Sequence, residues 1–315
     1  MKYRIGVDVG GMSIKAGIVG DSFAIGAKKS IVTMPNKPSA EIVRDIAELI
    51  KSIMSENGLT PQDIDGVGLG FPGSVYDAKG VVRYCCNINL INVPIVKMLR
   101  EELSIDNVKI SNDANCAALA ETTYGAGKGA LNSVMLTLGT GLGTGIIVDG
   151  RMLTGHQSAG AEGGHMQIDM KGPVCGCGKK GCFEVYASAT ALIRQVKEAM
   201  EKNPDSLLHE IAKTDGLSGK TVFIAAKQGD KVAKRVIARY IKYIGAGLLN
   251  FSNIFFPEVI IIGGGVSVQG DLLIKPLQKY VAKNIYGSEY NPKIKVVAAA
   301  LGNDAGIIGA ALLCR

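Results

Sequence analysis

Three cysteines and a histidine are the residues whose spacing most narrowly fixes their chemistry. Cys175, Cys177 and Cys182 alternate with Gly176, Gly178 and Gly181 in one short knuckle, and His165 lies upstream. Three thiolates and an imidazole make the closed tetrahedral set of a structural Zn²⁺ site. Three incidental buried thiols fit so tight a knuckle poorly. Zinc on one ring nitrogen leaves the other free, so the metal would orient His165 toward a ligand. A second chemistry is signalled by Asp8, which ends an apolar run just before Gly10 and Gly11. A carboxylate there suits hydrated Mg²⁺, which takes one or two carboxylates plus water; a turn aspartate is the plainer alternative. Asn112 and Asp113 join a strand to a helix, where either residue can be an N-cap. The same position lets the helix macrodipole favour ionised Asp113, as a proton-accepting base requires.

The glycine clusters narrow the nucleotide chemistry. Gly139-Thr140-Gly141-Leu142-Gly143 is followed by another strand, Ile146-Ile147-Val148, whereas a dinucleotide fingerprint must open a helix. Gly125 to Gly129 contains Lys128 but lacks the Ser or Thr that follows the lysine of a P-loop. Gly263-Gly264-Gly265 follows the apolar run Val259–Ile262, which fits either an adenosine contact at a strand's C-terminal end or a hinge.

The elements that must position these residues follow from periodicity. Short alternating runs at 3–9, 13–20 and 24–33 predict an antiparallel meander, followed by an amphipathic helix over 40–56 and a strand at 64–70. A strand at 107–111 leads into a helix from 113, and a strand–glycine–strand unit fills 133–149. Helical patterns cover 183–201 and 230–250, with a strand at 258–262 and a closing helix at 304–313. The class is α/β with mixed sheets. A faint repeat at an offset of 128 lays Gly11 on Gly139 and Gly17 on Gly145, with Asp8 over Leu136. Two glycine-tipped hairpins facing each other would clamp a polyphosphate through backbone N–H groups; chance similarity of two Gly-rich hairpins has the same appearance.

Bulk properties limit the remaining possibilities. A chain of 315 residues is long enough for two lobes. Glycine is frequent, 41 residues where roughly 7% is usual. Trp is absent and aromatics total 5%, which argues against a stacking surface for nucleic acid. The net charge of +7 comes from Lys and Arg scattered along helices rather than one dense block, a pattern of solvated faces. The longest apolar stretches, 133–148 and 243–256, fall short of a membrane span of about 20 residues. Met1 and Lys2 run directly into a strand without an apolar signal core, and the cysteines favour metal over disulfides, so a cytoplasmic location is expected.

Four motifs in order carry a resemblance: Asp8-Val9-Gly10-Gly11 with Lys15, Asn112-Asp113-Ala114-Asn115, the 139–145 glycine loop, and Glu162-Gly163-Gly164-His165 followed by Cys175-x-Cys177-x4-Cys182-x-Glu184. On these the chain resembles the ROK family of sugar kinases and regulators, and within it the bacterial glucokinases, along essentially its whole length. The resemblance implies an actin-like, hexokinase-type fold of two lobes with mixed sheets around a cleft. It also implies Mg²⁺-dependent transfer of the ATP γ-phosphoryl to a sugar hydroxyl, and a homodimer. Asp113 is then the base. Asp8, Gly10, Gly11, Lys15, Gly139, Thr140, Gly141 and Gly263 to Gly265 serve the nucleotide, and Gly73, Asn87, Asn112, Glu162, His165 and Glu184 the sugar. Three departures touch these sites. Met12 stands where the family often has Thr, Gly163 replaces a larger apolar residue and frees its loop, and no Trp follows Asn87.

The lobes expected are 1–118 completed by 300–315, and 119–299 with the zinc knuckle. Glucose is the expected acceptor, with fructose, allose, N-acetylmannosamine or N-acetylglucosamine as alternatives. A sugar-responsive regulator would carry a helix-turn-helix domain ahead of the first hairpin, which begins here at residue 4.

Overall fold

Alternation of apolar and polar residues builds the first sheet. Tyr3–Val9 (β1) and Ser13–Val19 (β2) pair antiparallel with Asp8 opposite Lys15, and Ile25–Val32 (β3) adds an outer strand whose residues alternate half-buried and exposed. This is a computed structural model describing residues 2–85 and 87–315; Met1, and Cys86 of the seven cysteines, lie outside the described residues. Ser39–Glu56 (α1) buries Ile42, Val43, Ile46, Leu49, Ile50 and Ile53, the stripe that a period of 3.6 lays on one face. Ile64–Phe71 (β4) returns parallel to β1. Next comes a small antiparallel sheet of Ser74–Tyr76 (β5), Val81–Tyr84 (β6) and Ile91–Val93 (β7), which sequence periodicity does not reveal because its strands are only three or four residues long. Ile95–Leu103 (α2) leads to Val108–Asn112 (β8), and the sheet order is β3-β2-β1-β4-β8.

Asp113–Thr123 (α3) follows without a break, capped by the Asn112 side chain, which accepts from the N–H groups of Ala114 and Asn115. The second sheet contains Ser133–Leu138 (β9), Leu142–Val148 (β10) and Arg151–Met152 (β11). The helical pattern at 183–201 is broken into Glu184–Ala187 (α4) and Ala189–Glu201 (α5) at Ser188, whose hydroxyl accepts from Ala191 N and caps the second piece. Leu208–Asp215 (α6), Thr221–Lys227 (α7) and the long Lys231–Phe255 (α8) complete a helical layer. Val259–Gly263 (β12), Asp271–Asn284 (α9), Lys295–Ala298 (β13) and Ala305–Leu312 (α10) close the chain. Among the described residues no helix is long and apolar enough to cross a membrane.

The second sheet has the order β11-β10-β9-β12-β13, with the same pattern of strand directions as the first. The repeat seen in the sequence is therefore a duplication of topology, and its register needs one correction. In the first hairpin Val9 is the last residue paired, opposite Ile14; in the second it is Leu138, opposite Leu142. The second tip is one residue shorter, so Asp8 corresponds to Thr137 and not to Leu136. Asp8 neighbours Gly70 of β4, as Thr137 neighbours Gly263 of β12.

Helices α3 and α10 pack on one another, and each also packs across onto the sheet of the other half. Thus α10 lies on β1 and β4, while α3 lies on β9 and β10. Ala117, Ala118, Ala120, Met135, Ile261, Ile307, Ile308 and Ala311 form an apolar seam between the two larger cores. Small residues make this possible. A Cβ on Gly68 would sit 1.7 Å from the Ala310 carbonyl oxygen, and one on Gly145 would sit 2.4 Å from the Ala118 Cβ. The lobe boundary expected at residue 118 falls inside α3.

Candidate active site

Strand ends and helix starts converge on one cavity of about 620 Å³, lined by Asp8, Lys15, Asp113, Thr137 and Gly263 to Gly265, with the 298–306 turn closing it. The structure thus brings together six of the sequence-predicted residues. Asp113 sits where β8 passes directly into α3. Burial pushes its carboxyl up to about 6, the N–H of Ala114 opposes this with a 2.8 Å hydrogen bond, and the charges of Asp8 and Glu162 add to the rise. Asp8 is likewise raised by burial, and Lys15, whose Nζ lies 3.9 Å away, partly offsets it. Two half-buried carboxylates that electrostatically oppose one another suit a divalent cation, and oxygen donors of this kind are what Mg²⁺ takes.

The remaining residues expected to serve the sugar are linked electrostatically to Asp113 through Glu162. Glu162 is raised chiefly by burial, with His165 lowering it and Glu184 raising it. Glu184 opens α4, and its Oε2 accepts from Leu142 N at 2.9 Å, which ties it to the 139–141 loop. Gly139 N donates to the Gly141 carbonyl, and Thr190 Oγ1 donates to the Thr140 carbonyl, so this loop is anchored on α5 but does not line the cavity. Gly10 and Gly11 also stay outside the lining. They form the tip beside exposed Asn87, whose Cβ lies 3.1 Å from where a Gly11 Cβ would be. Gly73 supplies the carbonyl that accepts from Asn112 Nδ2 at 3.2 Å. Met12 is 85% exposed at the same tip, and the neighbouring Gly10 carbonyl accepts from Thr33 Oγ1 at 2.6 Å.

Gly163 does not loosen its loop as the sequence suggests. A Cβ there would lie 2.3 Å from the Phe251 ring, and its N–H donates to Thr144 Oγ1 at 2.9 Å. The loop is held from the other side too. Arg83 of β6 donates to the carbonyl and the side-chain oxygen of Gln157 at 2.9 and 2.7 Å, and Ser158 Oγ donates to Asp77.

Around the knuckle the ligand atoms of His165, Cys175, Cys177 and Cys182 all lie within 4.8 Å of one another. Cys177 Sγ to Cys182 Sγ is 3.6 Å and Cys175 Sγ to His165 Nδ1 is 3.7 Å. A tetrahedral ion with bonds of about 2.3 Å requires edges of roughly 3.7 Å, so the donor set fits zinc in both chemistry and size.

Sequence reasoning missed Thr137, Ser267, Asn303 and the turn after β13 as cavity residues. Carrying the internal repeat to the fifth strand of each sheet would have found the turn, because β13 is the counterpart of β8 and its exit is the counterpart of Asn112-Asp113.

Two copies of one five-stranded sheet, exchanging the helices that leave them and enclosing a glycine-rich cavity, define the actin-like ATPase fold. Within that fold the chain belongs to the ROK family, whose profile matches residues 4–315. A glucokinase of Streptomyces coelicolor is 37% identical over 319 residues, covering 100% of this chain and 98% of the relative. One from Thermotoga maritima is 37% identical, covering 99% and 96%. The crystal structure of a ROK family glucokinase from Streptomyces griseus in complex with glucose and AMPPNP is similar with a TM-score of 0.84 at 35% identity, covering 99% of this chain and 98% of that one.

Proposed function

We propose that this chain is an ATP-dependent sugar kinase that phosphorylates glucose, with the 6-hydroxyl as acceptor. The observation that carries the reading is the pairing of Asp113 and Asp8 in one open cavity with the Gly263–Gly265 turn. Full-length similarity to glucokinases supports both substrates.

Asp113 acts as the base that receives the hydroxyl proton. A carboxyl near 6 is ionised at neutral pH yet basic enough to take a proton in the transition state, an effect of about 10²–10⁴-fold in rate. Asp8 would hold Mg²⁺, which would supply neutralisation of the phosphate charge. Lys15 and the Gly263–Gly265 turn, which line the cavity, orient the polyphosphate. On the sugar side Asn112, Glu162, His165 and Glu184, with Gly73 and Asn87, engage the hydroxyl rim, so analogues lacking those hydroxyls leave buried groups unpaired. His165 turns Nδ1 toward Cys175, which leaves Nε2 for a sugar hydroxyl; zinc held by the four knuckle residues supplies a fixed ring orientation.

The two lobes are 1–118 with 300–315, and 119–299, closing on substrate to exclude water; the protein works as a cytoplasmic homodimer. The test is ADP release with ATP and Mg²⁺ across a panel of sugars. Glucose is expected to give the highest kcat/KM. An N-acetylated hexosamine or fructose outrunning glucose would overturn the acceptor and leave the kinase standing, while no ADP release with any hexose would overturn both.

A further inference from the structure

Away from the catalytic cavity, α5 and α8 enclose two adjoining hollows of about 350 and 330 Å³ that share Glu198 and Arg239. Each is within the range of small-molecule sites, roughly 300–1,000 Å³. The first is walled by Tyr186 and Tyr243, whose ring centroids lie 4.6 Å apart. Gln195 also lines it and is only 4% exposed; its Nε2 donates to the Tyr186 carbonyl, but its Oε1 has no partner. Arg194 beside it has a buried Nε that makes no hydrogen bond and reaches Glu198 only at 3.5 Å. In the second hollow Lys202, Arg235 and Arg239 project from facing helices, and none forms an ion pair among the described residues.

An unpaired buried acceptor costs about 1–3 kcal/mol, so such a group in a cavity wall marks where a donor belongs. Aromatic faces beside a lone amide acceptor suit a polyol ring. Unpaired guanidinium groups one turn away suit a dianion, which arginine binds through its planar fork. We infer that the α5–α8 groove is a second ligand site, taking a phosphorylated sugar with its ring against the open side of Tyr243, which backs onto Tyr186, beside Gln195, and its phosphate on Arg235 and Arg239. Glu198, the one carboxylate in the groove, stays paired with Arg194 and leaves the outer cations free.

The site is tested on the full-length protein with the catalytic cavity blocked by saturating glucose and AMPPNP. Failure of that blocking complex to form would count against the kinase reading and is seen separately by calorimetry before any phosphate is added. Glucose 6-phosphate is then titrated, with inorganic phosphate as the second arm. One further equivalent per chain is expected, weakened at least tenfold in Arg235→Glu/Arg239→Glu, whose side chains are exposed on α8 and whose replacement leaves the core untouched. Inorganic phosphate is expected to bind at least tenfold more weakly than the sugar phosphate. Absence of a further equivalent, or one unaffected by the double variant, would overturn the site; equal affinity for both probes would overturn the sugar part of the assignment.

Discussion

The two five-stranded sheets agree in order and strand direction, yet they meet the cavity with different chemistry. The first presents Asp8 at the end of β1 and Asp113 where β8 enters α3. The second presents Thr137 at the corresponding place on β9, glycines after β12, and a short turn between β13 and α10. One half therefore brings two carboxylates, with Lys15 beside Asp8, and the other offers neutral backbone. A polyphosphate between them meets repulsion on one side unless a cation intervenes, and close-fitting N–H donors on the other. The two halves share one frame and differ at a few strand ends; in the proposed function, proton transfer and metal binding would fall to one side and nucleotide contact to the other.

That division can be broken at several depths. The largest effect is expected from Asp113→Asn in the first half, which retains shape and removes the base. Turnover falls at least ~100-fold with glucose binding largely kept, and a variant retaining a tenth of wild-type kcat would refute the role. In the wild type, kcat/KM drops about tenfold per pH unit below about 6, where Asp113 becomes protonated. The same raised pKa makes ionised Asp113 a stability cost that grows as pH rises from about 4, its unfolded value, to about 6 and is constant above. Melting temperatures of the two proteins should therefore separate in favour of Asn at neutral pH and converge below pH 4.

Cys177→Ser strikes the second half, removing one knuckle ligand. Elemental analysis is expected to find about one zinc per chain in the wild type and none in the variant, with glucose affinity reduced ~10–100-fold. Normal sugar binding by the metal-free variant would detach the knuckle from the pocket. Gly68→Ala tests the exchange of helices, since its methyl group meets the Ala310 carbonyl at 1.7 Å. Overpacking of this kind costs about 1–3 kcal/mol, read as a lower Tm, and Gly145→Ala is expected to cost a similar amount on the other sheet. The smallest effect belongs to Thr137→Val, which removes a hydroxyl from the neutral wall; less than a tenfold change, confined to KM for ATP, is expected. A collapse of kcat in Thr137→Val would mean that the halves share the chemistry more evenly than their residues suggest.

Much of this was legible before any coordinates. The meander, the long helices and the knuckle follow from periodicities and spacings that local physics dictates, and Asp8, Lys15, Asp113 and Gly263 to Gly265 do meet in one cavity. What stayed hidden has two physical causes. Strands as short as β5, β6 and β7 hold too few residues to show an alternation, so Arg83 and its grip on Gln157 had no visible source. Long-range packing decides the rest. Gly163 reads as slack in the sequence, but Phe251, far along α8, fills the space. The one-residue slip between hairpins likewise depends on the length of a tip, which the hydrophobic pattern does not encode.

The exchange of α3 and α10 also bears on how the molecule comes into being. Strands β1 and β4 leave the ribosome well before α10, with the face bearing Gly6 and Gly68 shaped to accept Ile307 and Ala310, whereas those partners follow only after the whole second sheet. For most of translation that face of the first sheet has no cover, a hazard for any nascent sheet. The first sheet is sealed only when α10 arrives, so a chain stalled shortly before α10 would hold a nearly complete second half and an unsealed first one.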